Sequence, residues 1–196
     1  DYYASRGLGD VYKRQHIYVD GAELQNFEVQ EIRKAVVYVS QEDFLFTASV
    51  RENLKMGNEE ISDEEMIEIS RKMGVHQFVS KMERAYDSVL EERGKNLSKG
   101  QRQKLSLTRA ILRHPKILIL DEATSNMDSI SEREILNYIK GIRDITLILI
   151  SHRINVIADS DCIYVLQKGN IVARGTDKQL KEQCKLYRQL YGEEEK

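Results

Sequence analysis

The apolar residues of this 196-residue chain follow two spacings, one typical of β-strands and the other of helices. Residues 117–120, which read Ile-Leu-Ile-Leu, predict a short strand buried on both faces of a parallel sheet. Residues 36–39 predict a β-branched strand, and residues 146–150 predict another buried strand. Hairpins are predicted around Asp20-Gly21 and around residues 168–170.

Helical spacing predicts helices over residues 63–73, 75–82, 98–112 and 130–142. Ser62 and Ser129 are the expected N-caps of the first and the last of these helices. A terminal helix is expected to start at Thr176 or Asp177, whereas residues 29–35 read as a polar connector of about one helical turn. Strands that alternate with helices predict an α/β fold.

The charge balance argues against a protein that binds nucleic acid. The chain has 30 Lys and Arg against 32 Asp and Glu, a net charge of −2. No apolar run approaches the ~18 residues that span a bilayer, and no signal-peptide pattern is present. Cys162 and Cys184 lack the spacing of a metal site, so we interpret them as reduced cysteines of a cytosolic chain, with Cys162 in a core strand.

The start of the helix at residue 98 has an unusual charge pattern. Ser98 and Gln101 have the spacing of a capping box. Lys99, Arg102 and Lys104 place cations in the first two turns, where the helix dipole favours anions. Such a helix start is suited to bind an anion such as phosphate, and the alternative is a capped surface helix with a solvated basic face.

The strand at residues 117–120 ends in two acids, Asp121 and Glu122. Open α/β sheets bind ligands at the carboxyl edge, where both carboxylates would lie. In P-loop ATPases an Asp at such a strand end holds Mg²⁺, and an adjacent Glu can accept a proton from water. A strand end that reaches solvent is the alternative, but a phosphate-type helix start followed by a metal-type strand end favours a functional site.

Together these features resemble the ATPase domain of exporter-type ABC transporters, over about residues 16–192. Residues 97–101, Leu-Ser-Lys-Gly-Gln, are similar to the family signature, which usually reads Leu-Ser-Gly-Gly-Gln. Residues 117–122 resemble the Walker B strand, and residues 125–128, Ser-Asn-Met-Asp, resemble the D-loop. Gln41 and His152 follow strands as the family's Q-loop glutamine and switch histidine do. Each of these two residues alone could be an ordinary loop residue, whereas five motifs in the family's order are specific.

The resemblance implies a three-layer P-loop NTPase core, residues 16–41 and 105–196, with an inserted helical subdomain at about residues 42–104. Residues 1–15 match neither the family nor a clean periodicity, so we interpret them as a non-native or disordered tail. The P-loop pattern G-x-x-x-x-G-K-[ST] is missing, because the one Gly-Lys pair, Gly94-Lys95, is followed by Asn96. We therefore expect the domain to be truncated at its N-terminus.

The resemblance also implies roles for single residues. Asp121 would position Mg²⁺, and Glu122 would orient or deprotonate the attacking water. Gln41 would reach both Mg²⁺ and that water, and His152 would contact the γ-phosphate of ATP.

In the family the signature acts across a head-to-tail dimer, on the ATP held by a second ATPase domain. The residues that would do so here are Ser98, Lys99, Gly100 and Gln101, with Asp128 organising the interface. Lys99 departs from the usual glycine, and it could weaken the approach of the backbone or add a charge to the phosphate.

The implied function is that of an ATP-hydrolysing motor on the cytoplasmic face of the cell membrane. Its partners would be a second ATPase domain and a transmembrane domain of the same or another chain, and this chain alone would be inactive. Phe44, Leu45 and Phe46 lie where exporters contact the transmembrane domain, although we expect at least two of the three to belong to a local core. The alternatives are a soluble ABC ATPase and a non-catalytic module that completes a partner's ATP site.

Overall fold

A computed structural model describes residues 16–42 and 44–194 of the chain. The expected tail at residues 1–15 lies outside the described residues. The chain divides into two compact units, which meet in sequence between Ala35 and Val36.

The described part of the first unit contains an antiparallel hairpin of strands β1 (Tyr18–Val19) and β2 (Ala22–Glu23). Asp20 and Gly21 have φ angles of 50° and 81°. Two successive positive φ angles match the right-handed twist of a hairpin, so the predicted turn is confirmed.

Helix α1 (Val29–Ala35) follows the hairpin. It spans seven residues, about two turns, whereas the sequence predicted a connector of about one turn. Its charges agree with the helix dipole, with Glu31 in the first turn and Arg33 and Lys34 in the last. The Glu31 carboxylate also accepts a hydrogen bond from the backbone N–H of Glu28, 3.3 Å away, and so satisfies a free donor at the helix start.

The second unit is built on a parallel three-stranded sheet in the order β3, β4, β5. These strands are Val36–Val39, Ile117–Asp121 and Thr146–Ile150, all predicted from the sequence.

One face of this sheet packs into the main core, through residues such as Leu118 and Leu120. The other face exposes Tyr38, Ile148 and Ile150 by 57%, 44% and 48%. We expected strands buried on both faces. Among the described residues only the face with Leu118 and Leu120 is buried, because the core residues of the helices pack against it.

The helices of the second unit include the predicted ones, with small shifts at their ends. They are α2 (Val50–Lys55), α3 (Asp63–Lys72), α4 (His76–Val79), α5 (Lys99–Leu112), α6 (Ser129–Lys140), α7 (Ile154–Ile157), α8 (Asp177–Gln183) and α9 (Lys185–Glu194). Strands β6 (Ile163–Gln167) and β7 (Asn170–Gly175) form the second predicted hairpin. Ser62 caps α3 and Thr176 caps α8, as predicted.

Three predictions about single side chains are wrong. Only Leu45 of the expected apolar core cluster is buried, with 1% exposure, whereas Phe44 and Phe46 are 55% and 40% exposed. Phe44 and Phe46 pack against each other edge to face instead, with ring centroids 4.7 Å apart, and only Leu45 between them enters the core. Cys162 is exposed because it precedes strand β6 instead of lying in it. Helix α6 is capped by Asp128 instead of Ser129.

No helix in the described part of the chain has the length and apolar character that crossing a bilayer requires.

Candidate active site

The predicted catalytic residues lie at the carboxyl edge of the parallel sheet. Gln41 follows β3, Asp121 and Glu122 end β4, and His152 follows β5. An open cleft of about 280 Å³ is lined by Ser40, Gln41, Glu42, Asp121 and Glu122. Residues that are distant in sequence meet here because parallel strands end at the same edge.

Glu122 and His152 form a contact at this edge. The imidazole Nδ1 of His152 lies 3.1 Å from the carboxylate Oε1 of Glu122, and the two side chains are 67% and 34% exposed. The backbone N–H of Glu122 donates to the carbonyl of Ile150 at 2.9 Å, which continues the β4–β5 ladder by one residue. Glu122 has a φ of 49°, a left-handed conformation that is uncommon outside glycine and tends to occur at functional sites.

Asp121 has a different partner. The Tyr38 hydroxyl donates a hydrogen bond of 2.8 Å to its Oδ2. This hydrogen bond to a carboxylate raises the pKa of the Tyr38 hydroxyl. Tyr38 was not predicted as a site residue, because a tyrosine in a strand gives no sequence signal of a hydrogen bond to a residue 83 positions away.

The donors near Asp121 fit Mg²⁺. The described residues contain no cluster of three or more His, Cys, Asp or Glu that could enclose a metal. Mg²⁺ prefers oxygen ligands and usually keeps several waters, with one or two carboxylates and substrate phosphates completing its shell. Asp121 and Gln41 line the same cleft, and their side-chain oxygens are of the type that would provide such a partial shell.

The residues predicted to bind ATP lie together in a second cavity, of about 520 Å³. It is lined by Ser98, Lys99, Gly100, Gln101, Lys104, Asn126, Met127 and Asp128, with Gly74, Gln77, Phe78 and Lys81. This cavity and the carboxylate cleft share no lining residue. The predicted site residues therefore form two groups.

The start of α5 has the predicted capping box. The backbone N–H of Gln101 donates to the Ser98 hydroxyl at 3.2 Å, and the N–H of Ser98 donates to the Gln101 side chain at 2.9 Å. Both side chains are thereby held at the helix start.

The Asp128 carboxylate also caps a helix. Its Oδ1 accepts a hydrogen bond of 2.9 Å from the backbone N–H of Ser131. This bond to the charged form lowers the pKa of Asp128. The D-loop is thus fixed to the first turn of α6, beside the Lys104 ammonium, which donates to the Ser131 hydroxyl at 2.9 Å.

Gln103 is a residue that sequence reasoning missed. It is fully buried, and its side-chain oxygen accepts a hydrogen bond of 3.0 Å from the backbone N–H of Asn126. Gly100 allows this close approach, because a side chain there would place its Cβ only 3.0 Å from the Asn126 carbonyl oxygen. The signature helix and the D-loop are therefore in close contact, and the sequence signal for this contact was a glutamine on a largely apolar helix face.

A buried ion pair, also missed, supports His152. Arg153 makes two contacts of 3.0 and 2.9 Å with the two carboxylate oxygens of Glu132, whose side chain is 4% exposed. This bidentate geometry fixes the loop after β5 to helix α6.

Comparison with known proteins assigns the family. A family model described as ABC transporter matches residues 8–125. The match begins inside residues 1–15, the expected tail. The chain belongs to the ABC transporter family. The resemblance to exporter-type ABC ATPase domains and the α/β P-loop NTPase fold are confirmed, while the truncation stays a prediction.

Two relatives show the range of similar ABC proteins. The heterocyst differentiation ATP-binding protein HepA of Nostoc sp. is 42% identical over 168 residues, covering 85% of this chain and 28% of HepA. The leptomycin B resistance protein pmd1 of Schizosaccharomyces pombe is 39% identical over 182 residues, covering 91% of this chain and 13% of pmd1.

A solved structure has the same fold. A bacterial Atm1-family ABC exporter with ATP bound superimposes with a TM-score of 0.87 and 29% identity, over 91% of this chain and 32% of the exporter chain. The chain thus spans less than a third of the length of HepA and pmd1.

Proposed function

We propose that this chain is part of the ATP-hydrolysing motor domain of an ABC-type exporter. The observation that carries the proposal is the meeting of Gln41, Asp121, Glu122 and His152 at one sheet edge, with His152 in contact with Glu122. Similarity to an exporter solved with ATP bound supports the nucleotide and the transport role.

Each residue of the cleft has a separate proposed role in ATP hydrolysis. Asp121 and Gln41 would hold Mg²⁺, which neutralises charge on the β- and γ-phosphates of ATP when bound. Glu122 accepts a proton from the attacking water or orients it, a role typically worth about 10²–10⁴-fold in rate. His152 contacts the Glu122 carboxylate through Nδ1, and its other ring nitrogen would contact the γ-phosphate.

The second group of residues supports a head-to-tail dimer. The signature cavity has a capped helix start and the Lys99 cation, which suit an anion, but it shares no residue with the carboxylate cleft. In a head-to-tail dimer of the kind that the family resemblance implies, one ATP would lie between the carboxylate cleft of one copy and the signature cavity of the other. We propose that Ser98, Lys99, Gly100 and Gln101 act on the partner's ATP, with Asp128 holding the D-loop between them.

The remaining partner is a transmembrane domain of the same or another chain, which would place this motor at the cytoplasmic face of the membrane. Phe44 and Phe46 offer an exposed contact surface of two edge-to-face rings, 4.7 Å apart between centroids. The Glu122–His152 contact favours a catalytic domain over a non-catalytic half-site module, since such a module has no need of either residue.

Measuring ATP hydrolysis by the full-length protein in detergent or nanodiscs tests this function. Wild-type protein is expected to hydrolyse ATP only with Mg²⁺, and Asp121→Asn is expected to abolish hydrolysis. Asp161→Asn is the matched control, because Asp161 is an exposed aspartate that lines neither cavity. A folded wild-type protein that binds ATP and Mg²⁺ but does not hydrolyse ATP would support the half-site module instead.

A further inference from the structure

Tyr38 and Asp121 lie on the same face of the parallel sheet, on adjacent strands. Tyr38 pairs with Ile119, and Asp121 is two residues further along β4. Side chains two residues apart in a strand point to the same face, so the Tyr38 ring is directed along the sheet surface toward the Asp121 carboxylate. The tyrosine side chain has the length to close this diagonal, and the hydroxyl-to-Oδ2 distance is 2.8 Å.

The chemistry of this contact suits a metal ligand. A phenol O–H fixes the orientation of a carboxylate but is neutral, so it leaves the negative charge that a divalent cation needs. A Lys or Arg at position 38 would hold the carboxylate equally well and would compete with the cation for it. Because Tyr38 takes Oδ2, the other oxygen of Asp121 is the one left to face a ligand in the cleft.

Tyr38 does not belong to the hydrophobic core of the described structure. Its side chain is 57% exposed. It stands three residues before Gln41, the other proposed oxygen donor, on the strand that leads into the same cleft. The hydrogen bond therefore joins the ends of β3 and β4 at the point where both donors leave the sheet.

From this geometry we infer that Tyr38 is a positioning residue for the divalent cation, acting through the orientation of Asp121. The inference rests on the proposed function, since it assigns a supporting residue to that same site. Partners that orient a metal ligand typically contribute about 10- to 100-fold to metal affinity.

The test is Tyr38→Phe in the full-length protein, a change that removes one hydroxyl and keeps the ring. The probe is Mn²⁺ together with the non-hydrolysable ATP analogue AMP-PNP, with bound Mn²⁺ measured by electron paramagnetic resonance. Tyr38→Phe is expected to weaken Mn²⁺ binding roughly tenfold. Binding of AMP-PNP in EDTA and the thermal unfolding midpoint are expected to stay at wild-type values.

Tyr164→Phe is the matched control, because Tyr164 is an exposed strand tyrosine, 52% accessible, on the β6–β7 hairpin. It is expected to bind Mn²⁺ like the wild type. Equal Mn²⁺ affinity in Tyr38→Phe and wild type, within about twofold, would overturn the inference and leave the proposed function intact. Equal losses of Mn²⁺ binding and metal-free nucleotide binding would also overturn it, in favour of a structural role. A wild-type protein that binds neither probe would overturn both proposals.

Discussion

His152 Nδ1 lies 3.1 Å from Glu122 Oε1, although the two residues are 30 positions apart in the chain. The contact follows from the register of the sheet, in which Asp121 pairs with Ile150 on the adjacent parallel strand. Glu122 is the first residue after β4 and His152 is the second residue after β5, so both leave the sheet at the same edge. This places a carboxylate that could accept a proton and an imidazole at the edge where the proposed metal ligands Gln41 and Asp121 also lie.

Glu122→Gln in the full-length protein is expected to leave ATP binding intact and to lower turnover by at least about 100-fold. The amide keeps the size of the side chain and its contact with His152 but cannot take up a proton. The turnover rate at saturating Mg-ATP measures the effect, alongside nucleotide binding.

Glu134→Gln is the matched control for this experiment, since Glu134 is an exposed glutamate on helix α6. It is expected to turn over ATP at the wild-type rate. A loss of less than tenfold in Glu122→Gln would rule out Glu122 as the general base.

Phe44→Ala and Phe46→Ala are each expected to reduce transport per ATP hydrolysed while the thermal unfolding midpoint stays unchanged. Both rings are exposed, so truncation removes contact area for a membrane partner but little of the core. Once the transported substrate is known, transport and hydrolysis measured on the same proteoliposomes give this ratio.

Leu45→Ala separates packing from coupling. Leu45 is 1% exposed, and truncation of a buried leucine typically costs about 2–5 kcal/mol of stability. Leu45→Ala is therefore expected to lower the unfolding midpoint. If Phe44→Ala and Phe46→Ala lower it equally, the two rings serve packing instead of coupling.

Much of this site could be predicted from the sequence because its motifs are local. Glu122 directly follows one apolar strand and His152 is the second residue after another, so the placement of both at one edge needs only a parallel sheet. The Ser98–Gln101 capping box is likewise a pattern within four residues, and the structure contains both of its hydrogen bonds.

The contacts that the sequence could not predict depend on register and on side-chain direction. Tyr38 reaches Asp121 only because β3 pairs with β4 in one register, and Gln103 reaches Asn126 only because α5 packs on the D-loop. Which of Phe44 and Leu45 enters the core depends on the path of an irregular segment, for which no periodicity exists.

Gly100→Ala is expected to lower ATP turnover several-fold without lowering stability. The new Cβ would lie 3.0 Å from the Asn126 carbonyl oxygen, so the D-loop must shift by a few tenths of an ångström. Alanine is favoured over glycine in a helix by about 1 kcal/mol, which offsets the cost of the shift. Turnover at saturating Mg-ATP and the unfolding midpoint are the two measurements.

Gly192→Ala serves as its control, because Gly192 lies in helix α9 and a Cβ there would have nothing within 4 Å. It is expected to leave turnover unchanged. Wild-type turnover in Gly100→Ala would show that the close approach of α5 to the D-loop is not needed for hydrolysis.

The 196-residue chain by itself is expected to bind Mg-ATP only at millimolar concentrations or more weakly, a binding free energy no better than about −4 kcal/mol. Most phosphate contacts in P-loop ATPases come from the amides and the Lys of the P-loop, and the chain has no such sequence. Gly94, in the one Gly-Lys pair, is buried, and a Cβ there would lie 2.9 Å from the Leu45 side chain. That backbone is therefore packed against protein and cannot cradle a phosphate.

The groups that remain do not replace a P-loop. Asp121 and Glu122 repel a bare triphosphate, and Mg²⁺ is held weakly by one or two carboxylates because it gives up its waters reluctantly. The start of α5 can bind an anion, but its cavity is separate from the carboxylate cleft, and we propose that it acts on the ATP of a partner domain. Calorimetric titration of the chain with Mg-ATP measures the affinity, and circular dichroism of the same sample shows that it is folded. A micromolar dissociation constant for the folded chain would mean that a phosphate site exists outside both cavities.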